Sequence, residues 1–204
     1  VDGLYNQEYD YPPETILSHT FYLRKTEEFY RFYRNKMLFP EVKPNRAHLA
    51  LARLEQEGKV RAVITQNIDG LHQAAGSREV LELHGSVHRN YCERCGRFYS
   101  MEHILSCEGV PKCSCGGVIK PDVVLYEEGL DDSVLSRSIE HIRNADVLII
   151  GGTSLTVYPA AGLIDYYRGT KLVLINKSAT SRDSQADLVI CGSVGEALAE
   201  AAGL

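Results

Sequence analysis

The chain has 204 residues, 44% hydrophobic and 24% charged, enough for one sizeable core or a core plus a small module. Its net charge of -5 argues against a nucleic-acid partner, which usually leaves a basic footprint, but it does not exclude a basic peptide. No apolar run approaches the ~20 residues of a membrane helix and no secretory leader is visible; because the chain opens at Val1 rather than Met, an upstream segment is expected.

The first ~45 residues are aromatic-rich. Pro12-Pro13-Glu14 can open a helix, because proline suits a first helical turn. Thr26-Glu27-Glu28 can cap and start a second, with Phe29, Phe32 and Tyr33 on one face. A third is expected over residues 46–57, preceded by Pro44 and ended by Gly58. Residues 60–65 then read as a strand. Stronger strands follow at 146–150, 171–175 and 186–190, short and nearly continuous in apolar residues, as strands buried on both faces should be. Helices over 133–144 and 159–169 separate them. A last one starts at Ser193, with Glu196 completing a capping box. This alternation predicts a mainly parallel sheet covered on both faces.

Ligands of such sheets bind beyond the carboxyl ends of the strands. Gln66-Asn67-Ile68-Asp69-Gly70 follows the first strand and Gly151-Gly152-Thr153-Ser154 the second. Asn176 ends the third, and Cys191-Gly192-Ser193 the fourth. If the strands are parallel, these polar or small clusters share one edge. Glycines let a phosphate approach the backbone and Thr or Ser can donate to it, although Gly-Gly-Thr-Ser also suits a plain turn. Asn176 can bond ribose hydroxyls or simply form a turn.

Of six cysteines, four form two tight pairs, Cys92/Cys95 and Cys113/Cys115, separated by seventeen residues. Such clustering fits a metal site in a reducing, cytoplasmic compartment better than disulfides. Four thiolates can hold zinc tetrahedrally with no open position, so the zinc is expected to be structural. The second pair is one residue shorter than C-x-x-C, so Cys107 is a competing ligand. Cys191 reads as a small residue at a strand end. Glu93, Glu102 and Glu108 dilute the basic residues of the module, which argues against nucleic acid. His84, in Leu83-His84-Gly85-Ser86, is near Asn67 and Asp69 only if the chain folds back.

Thr65-Gln66-Asn67-Ile68-Asp69-Gly70-Leu71-His72, Glu82-Leu83-His84-Gly85-Ser86, the paired cysteines, Lys120-Pro121-Asp122-Val123-Val124-Leu125-Tyr126 and Gly152-Thr153-Ser154-Leu155 together resemble the sirtuin family. Gly3-Leu4-Tyr5-Asn6 and Ile16-Leu17-Ser18-His19 match as well, in the family's order and spacing. The resemblance implies an α/β, Rossmann-like doubly wound parallel sheet with an inserted zinc-ribbon module and a helical segment. The expected divisions are a helical part of a small domain at 1–45, Rossmann-like parts at 46–87 and 121–204, and a zinc module at 88–120.

The resemblance also implies NAD-dependent removal of acetyl groups from protein lysines. In that reaction the acyl oxygen attacks the ribose carbon bearing nicotinamide, an imidate forms, and the products are nicotinamide and O-acetyl-ADP-ribose. His84 would be the general base, suited by the near-neutral pKa usual for histidine. Asn67, Ile68 and Asp69 would line the nicotinamide pocket and Gln66 would meet the ribose. Gly152, Thr153 and Ser154 would hold phosphate and ribose oxygens, Asn176 the adenine ribose, and Cys191 would sit by the adenine.

Val123, Val124 and Tyr126 would wall the acyl-lysine tunnel. The acetylated peptide would add as a strand between this segment and residues 155–158. No nucleic acid or membrane partner is implied. Deacylases for succinyl and malonyl lysine share a Tyr-x-x-Arg pair in the aromatic helix. Here Tyr30 is followed at that spacing by Tyr33, with Arg34 one place later, which favours an acetyl substrate. The family's opening strand, Gly-Ala-Gly-x-Ser loop and Asp-Phe-Arg segment have no counterpart in these residues. An upstream segment is therefore expected to supply them, and the fragment as written is expected to be inactive. Mono-ADP-ribosyl transfer, longer-chain deacylation, a non-catalytic NAD or acyl-lysine binding module and a zinc-ribbon interaction protein are the competing readings.

Overall fold

The computed structural model describes residues 9–204, so the Gly3-Leu4-Tyr5-Asn6 match lies outside the described residues. In chain order the elements are α1 (Pro13–Ile16), α2 (His19–Arg24), α3 (Thr26–Lys36), α4 (Arg46–Gln56), β1 (Val63–Thr65), α5 (Leu71–Ala74), β2 (Val80–Glu82), β3 (Gly85–Cys92), β4 (Phe98–Tyr99), α6 (Met101–Ser106) and β5 (Ile119–Val123). Then come α7 (Asp132–Asn144), β6 (Val147–Gly151), a 3-10 segment (Ala160–Tyr166), β7 (Lys171–Asn176), β8 (Leu188–Cys191) and α8 (Val194–Ala202).

The chain divides into two compact units. The first comprises residues up to Val42 together with Asn67–Gly70 and His84–Leu130. The second comprises Lys43–Gln66, Leu71–Leu83 and Asp131–Leu204.

In the first unit α1, α2 and α3 share one core with the antiparallel sheet β4-β3-β5 and with α6. Pro13 occupies the first turn of α1, as expected. Thr26 does not cap α3: its hydroxyl donates back to the Tyr22 carbonyl, and Lys25 takes the cap position without a side-chain bond. Phe29, Tyr30, Phe32 and Tyr33 are all at most 1% exposed. The Tyr30 hydroxyl donates to the Ile119 carbonyl of β5, and the Tyr22 hydroxyl to the Glu93 carboxylate at 3.0 Å.

In the second unit the parallel strands fall into two sheets rather than one. β1 pairs with β2, and β6-β7-β8 form the other. The first strand starts at Val63 because the Lys59 and Val60 amides both close back on the Leu54 carbonyl at the end of α4. Burial on both faces holds only for part of the larger sheet. Val173, Ile175 and Ile190 pack with α4 and α8, and Leu148, Ile150, Leu172 and Leu174 pack with Leu155 and Ile164. Val147 and Ile149 on the edge strand β6 stay about half exposed, at 50% and 44%, as do Leu188 and Val189 on the other edge strand, β8. Where a helix over 159–169 was expected there is a 3-10 segment at Ala160–Tyr166, with the Gly162 and Tyr167 amides bonding three residues back. Ser193 caps α8 by accepting from the Glu196 amide.

Candidate active site and metal centre

In the second unit the residues expected to meet NAD lie at the carboxyl ends of parallel strands, and hydrogen bonds link several of them. Gln66 Nε2 is 3.4 Å from Thr153 Oγ1, to which it donates. The Thr153 amide donates to Asn176 Oδ1 at 3.0 Å. The Gly152 amide reaches the Ile175 carbonyl and the Gly192 amide the Asn176 carbonyl, each at 3.0 Å. Ser154 is exposed, with its hydroxyl 2.7 Å from that of Thr156. Cys191 is exposed at the end of β8, its thiol 3.5 Å from the Lys177 carbonyl. The edge therefore brings together Gln66, Gly152, Thr153, Asn176 and, one residue before Gly192, Cys191. Asn176 Nδ2 is buried with no hydrogen-bond partner among the described residues. A buried donor left unpaired is costly, and a ribose hydroxyl would satisfy it, so the residues fit the cosubstrate.

In the first unit the chain does fold back. The Val87 amide donates to the Ile68 carbonyl at 3.0 Å, and the Val124 amide to the His84 carbonyl at 3.0 Å. The His88 ring, through Nε2, is 3.0 Å from the Asp69 carbonyl. The unit thus collects Asn67, Ile68, Asp69, His84, Val123 and Val124 around the start of β3. The junction requires Gly85, which has φ +75°. A Cβ there would stand 1.9 Å from the Asp122 carbonyl oxygen, well inside van der Waals contact.

Val123 is buried, Val124 half-buried, and Tyr126 is 54% exposed. Both backbone groups of Tyr126 are used within the chain: its amide meets the Leu17 carbonyl and its carbonyl the His19 amide. The Leu125 amide and carbonyl are likewise taken, by the Glu128 carboxylate and the Glu128 amide.

Sequence reasoning passed over Glu128 and His88. The His19 partner of Glu128 is 109 residues away, and the Asp69 partner of His88 is 19 away, so no local pattern marks either one.

The four paired cysteines meet in the same unit, with all four Sγ atoms within 4.8 Å of one another. Cys92 and Cys115 are 3.4 Å apart, Cys95 and Cys115 3.5 Å, and Cys95 and Cys113 3.6 Å. Four sulfurs around a tetrahedral zinc would be about 3.8 Å apart, whereas a disulfide needs about 2 Å. Cys107 is not a member of the cluster; its thiol lies 3.6 Å from His103 Nε2. The one-residue spacer is closed by the Cys115 amide donating to Cys113 Sγ at 3.5 Å.

That amide, followed by the Tyr99 hydroxyl, draws the Cys113 thiol down to about 5. Burial pushes Cys92 up, but the amides of Cys95 and Arg94 and the neighbouring sulfurs bring it below the usual thiol value. The Gly117 amide acts to lower Cys115, yet its three sulfur neighbours push it up to about 11. Thiolates crowded in this way want a cation. Gly117 completes the cradle, since a Cβ there would lie 2.7 Å from both Cys92 Sγ and Arg94 Cβ. The donor set fits structural zinc: four sulfurs and no place for a reacting water.

Among the described residues no helix is long and apolar enough to cross a membrane.

A model of the Sir2 family matches residues 1–159. The NAD-dependent protein deacetylase of Clostridium acetobutylicum is 59% identical over 97% of this chain and 82% of its own length. A Sir2 homologue solved as an NAD complex superposes with a TM-score of 0.88 at 36% identity, covering 95% of this chain and 77% of that one. A Sir2 bound to acetylated peptide gives 0.84 at 41%, covering 91% and 81%. The four-thiolate centre, the parallel-strand edge and likeness along nearly the whole sequence lead to one conclusion: the chain belongs to the Sir2 family, the sirtuins.

Proposed function

We propose that the chain is an NAD-dependent protein-lysine deacetylase with a structural zinc. The observation that carries this reading is the gathering of His84, residues 67–70 and the Val123-Val124 pair in one unit, tied by the Val87–Ile68 and Val124–His84 backbone bonds. NAD, the cosubstrate, supplies the electrophilic ribose carbon that accepts the acyl oxygen and loses nicotinamide.

His84 is the general base, taking a proton from a ribose hydroxyl at an imidazole nitrogen. The Val124 amide fixes its carbonyl and Gly85 fixes the turn behind it. Asn67 and Asp69 face the nicotinamide carboxamide and a positioned water, with Ile68 as an apolar wall. Gln66, Gly152, Thr153 and Ser154 hold phosphate and ribose oxygens, and Asn176 turns its buried Nδ2 to the adenine ribose. Cys191 borders the adenine.

Val123, Val124 and Tyr126 wall the tunnel for the lysine stem of an acetylated protein or peptide. The peptide lies between this segment and residues 155–158, where the backbone groups of Leu125 and Tyr126, already bonded within the chain, do not take part in strand addition. Acetyl is the favoured acyl group. Tyr33 is 0% exposed and uncharged, and Arg34 spends its guanidinium on the Ile104 carbonyl at 2.8 Å and the Gly109 carbonyl at 2.6 Å. Tyr33 has no charge to offer an acyl carboxylate, and Arg34 is already engaged. Four cysteines at metal-binding rather than disulfide distance suit the reducing cytoplasm.

The test is nicotinamide release from acetyl-, succinyl- and longer acyl-lysine peptides by wild type and His84→Ala. The acetyl peptide should be preferred, and the variant should lose about 10²- to 10⁴-fold in rate. Full activity in His84→Ala would overturn the mechanism. Label from adenine-labelled NAD accumulating on protein, without deacetylation, would mark ADP-ribosyl transfer instead.

A further inference from the structure

The Glu128 carboxylate is the meeting point of three parts of the first unit. Oε1 accepts from His19 Nδ1 at 2.8 Å. Oε2 accepts from the Leu125 amide at 2.8 Å and from Lys120 Nζ at 3.2 Å. An ionised carboxylate can only accept, so the His19 proton sits on Nδ1. Lys120 is only 21% exposed and also donates to the Pro121 and Val123 carbonyls, each at 3.3 Å. The Glu128 amide returns a bond to the Leu125 carbonyl at 3.0 Å.

The neighbouring residue makes a second attachment. Glu127 has a left-handed φ of 76°, which costs a non-glycine residue energy unless its surroundings repay it. Its carboxylate accepts from the Thr20 amide at 2.8 Å, at the start of α2. The His19 amide and Leu17 carbonyl hold the backbone of Tyr126, the residue just before these two acids. The segment 123–128 is thus bound to residues 17–20 by four bonds, two of which form the Ser18–Tyr126 bridge, and the Glu128 side chain also reaches Lys120 of β5.

We propose that Glu128 is a positioning residue for the acyl-lysine substrate, holding the Val123–Tyr126 segment at the angle at which its side chains wall the tunnel. The inference rests on the deacetylase reading, which makes that segment the acyl-lysine wall. Glu128 does not touch the substrate; it acts through Leu125, Lys120 and His19. Loss of its charge weakens the bonds from Lys120, His19 and the Leu125 amide, so the segment samples orientations that do not bind acyl-lysine. Strand addition and tunnel entry suffer, and NAD does not.

The test is steady-state kinetics of zinc-loaded wild type and Glu128→Gln with an acetylated peptide, varying peptide and NAD separately. The peptide KM should rise about tenfold, with kcat and the NAD KM within about twofold, the split expected when ground-state binding is lost uniformly. An unchanged peptide KM in folded Glu128→Gln, or equal rises in both KM values, would overturn the proposal. If Glu128→Gln does not melt cooperatively, His19→Ala, which removes one donor and leaves the carboxylate, takes its place. A smaller rise in peptide KM alone supports the proposal, and no rise refutes it. If wild type binds both NAD and the acetylated peptide yet releases no nicotinamide, the deacetylase reading fails. Calorimetric binding of the acetylated peptide to wild type and variant then decides the positioning role by itself, equal affinities or no binding to either counting against it.

Discussion

Glu128 and Glu127 are adjacent carboxylates, and the surroundings of Glu128 have a pH consequence. Burial acts to raise the Glu128 pKa, but the Leu125 amide, His19 and Lys120 outweigh it and hold the group below the ordinary carboxylate range. A carboxyl group whose folded pKa is depressed stabilises the protein fully above its unfolded value, about 4.3. That contribution is lost as pH falls through the lower, folded value. Wild type should therefore exceed Glu128→Gln by about 2 kcal/mol at neutral pH, the scale of hydrogen bonds to a charged group. The margin should persist at about pH 5 and shrink only in buffers more acidic than the ordinary carboxylate range. Urea midpoints of the two proteins across that series measure it. A margin independent of pH would mean that shape, not charge, carries the effect.

At the scale of elements, the decisive join is that of β3 to β5 beside His84. β3 pairs with β5 at Gly85–Val123 and Ser86–Asp122, then slips before resuming at Asn90–Pro121. Gly85→Ala would drive a Cβ into the Asp122 carbonyl oxygen in a left-handed backbone. Separation of the two strands at that point should cost about 3 kcal/mol and most of the deacetylase activity, read from denaturant unfolding and nicotinamide release on the same preparation. An active, equally stable variant would show that the join tolerates movement. This sheet was not legible in the sequence. The slip between Ser86 and Asn90 breaks the alternation that marks a half-buried strand, and burial along β3 follows no period of two. The parallel strands β6, β7 and β8 were legible, because each is a short apolar run ending in a polar or small residue. Their grouping was less so: β2, only three residues long, pairs with β1 and was not expected at all.

For the whole molecule, the metal centre is part of a core rather than an appendage. Cys92 and Cys113 are buried in the same cluster as Phe29, Tyr30, Ile119 and Val123. The cysteine spacing announced four ligands, but the sharing of a core with α1, α2 and α3 could not be read from it, since the Tyr22–Glu93 and Tyr30–Ile119 bonds span 71 and 89 residues. Zinc bound by four thiolates has no position for substrate, so its influence on activity must pass through this packing. The chain has no tryptophan and twelve tyrosines, and Tyr22, Tyr30 and Tyr33 in the first unit are among its largest fully buried side chains. Near-ultraviolet circular dichroism therefore reports on that core. Chelation should remove one zinc per chain, and loss of the tyrosine signal and of nicotinamide release should track the metal stoichiometrically, because binding free energy of a structural zinc is folding free energy. Cys92→Ser should behave the same way without chelator, whereas Cys107→Ser, whose thiol rests on His103, should keep zinc, signal and activity. Retention of the tyrosine signal and of turnover after complete zinc loss would show that the core stands without its metal.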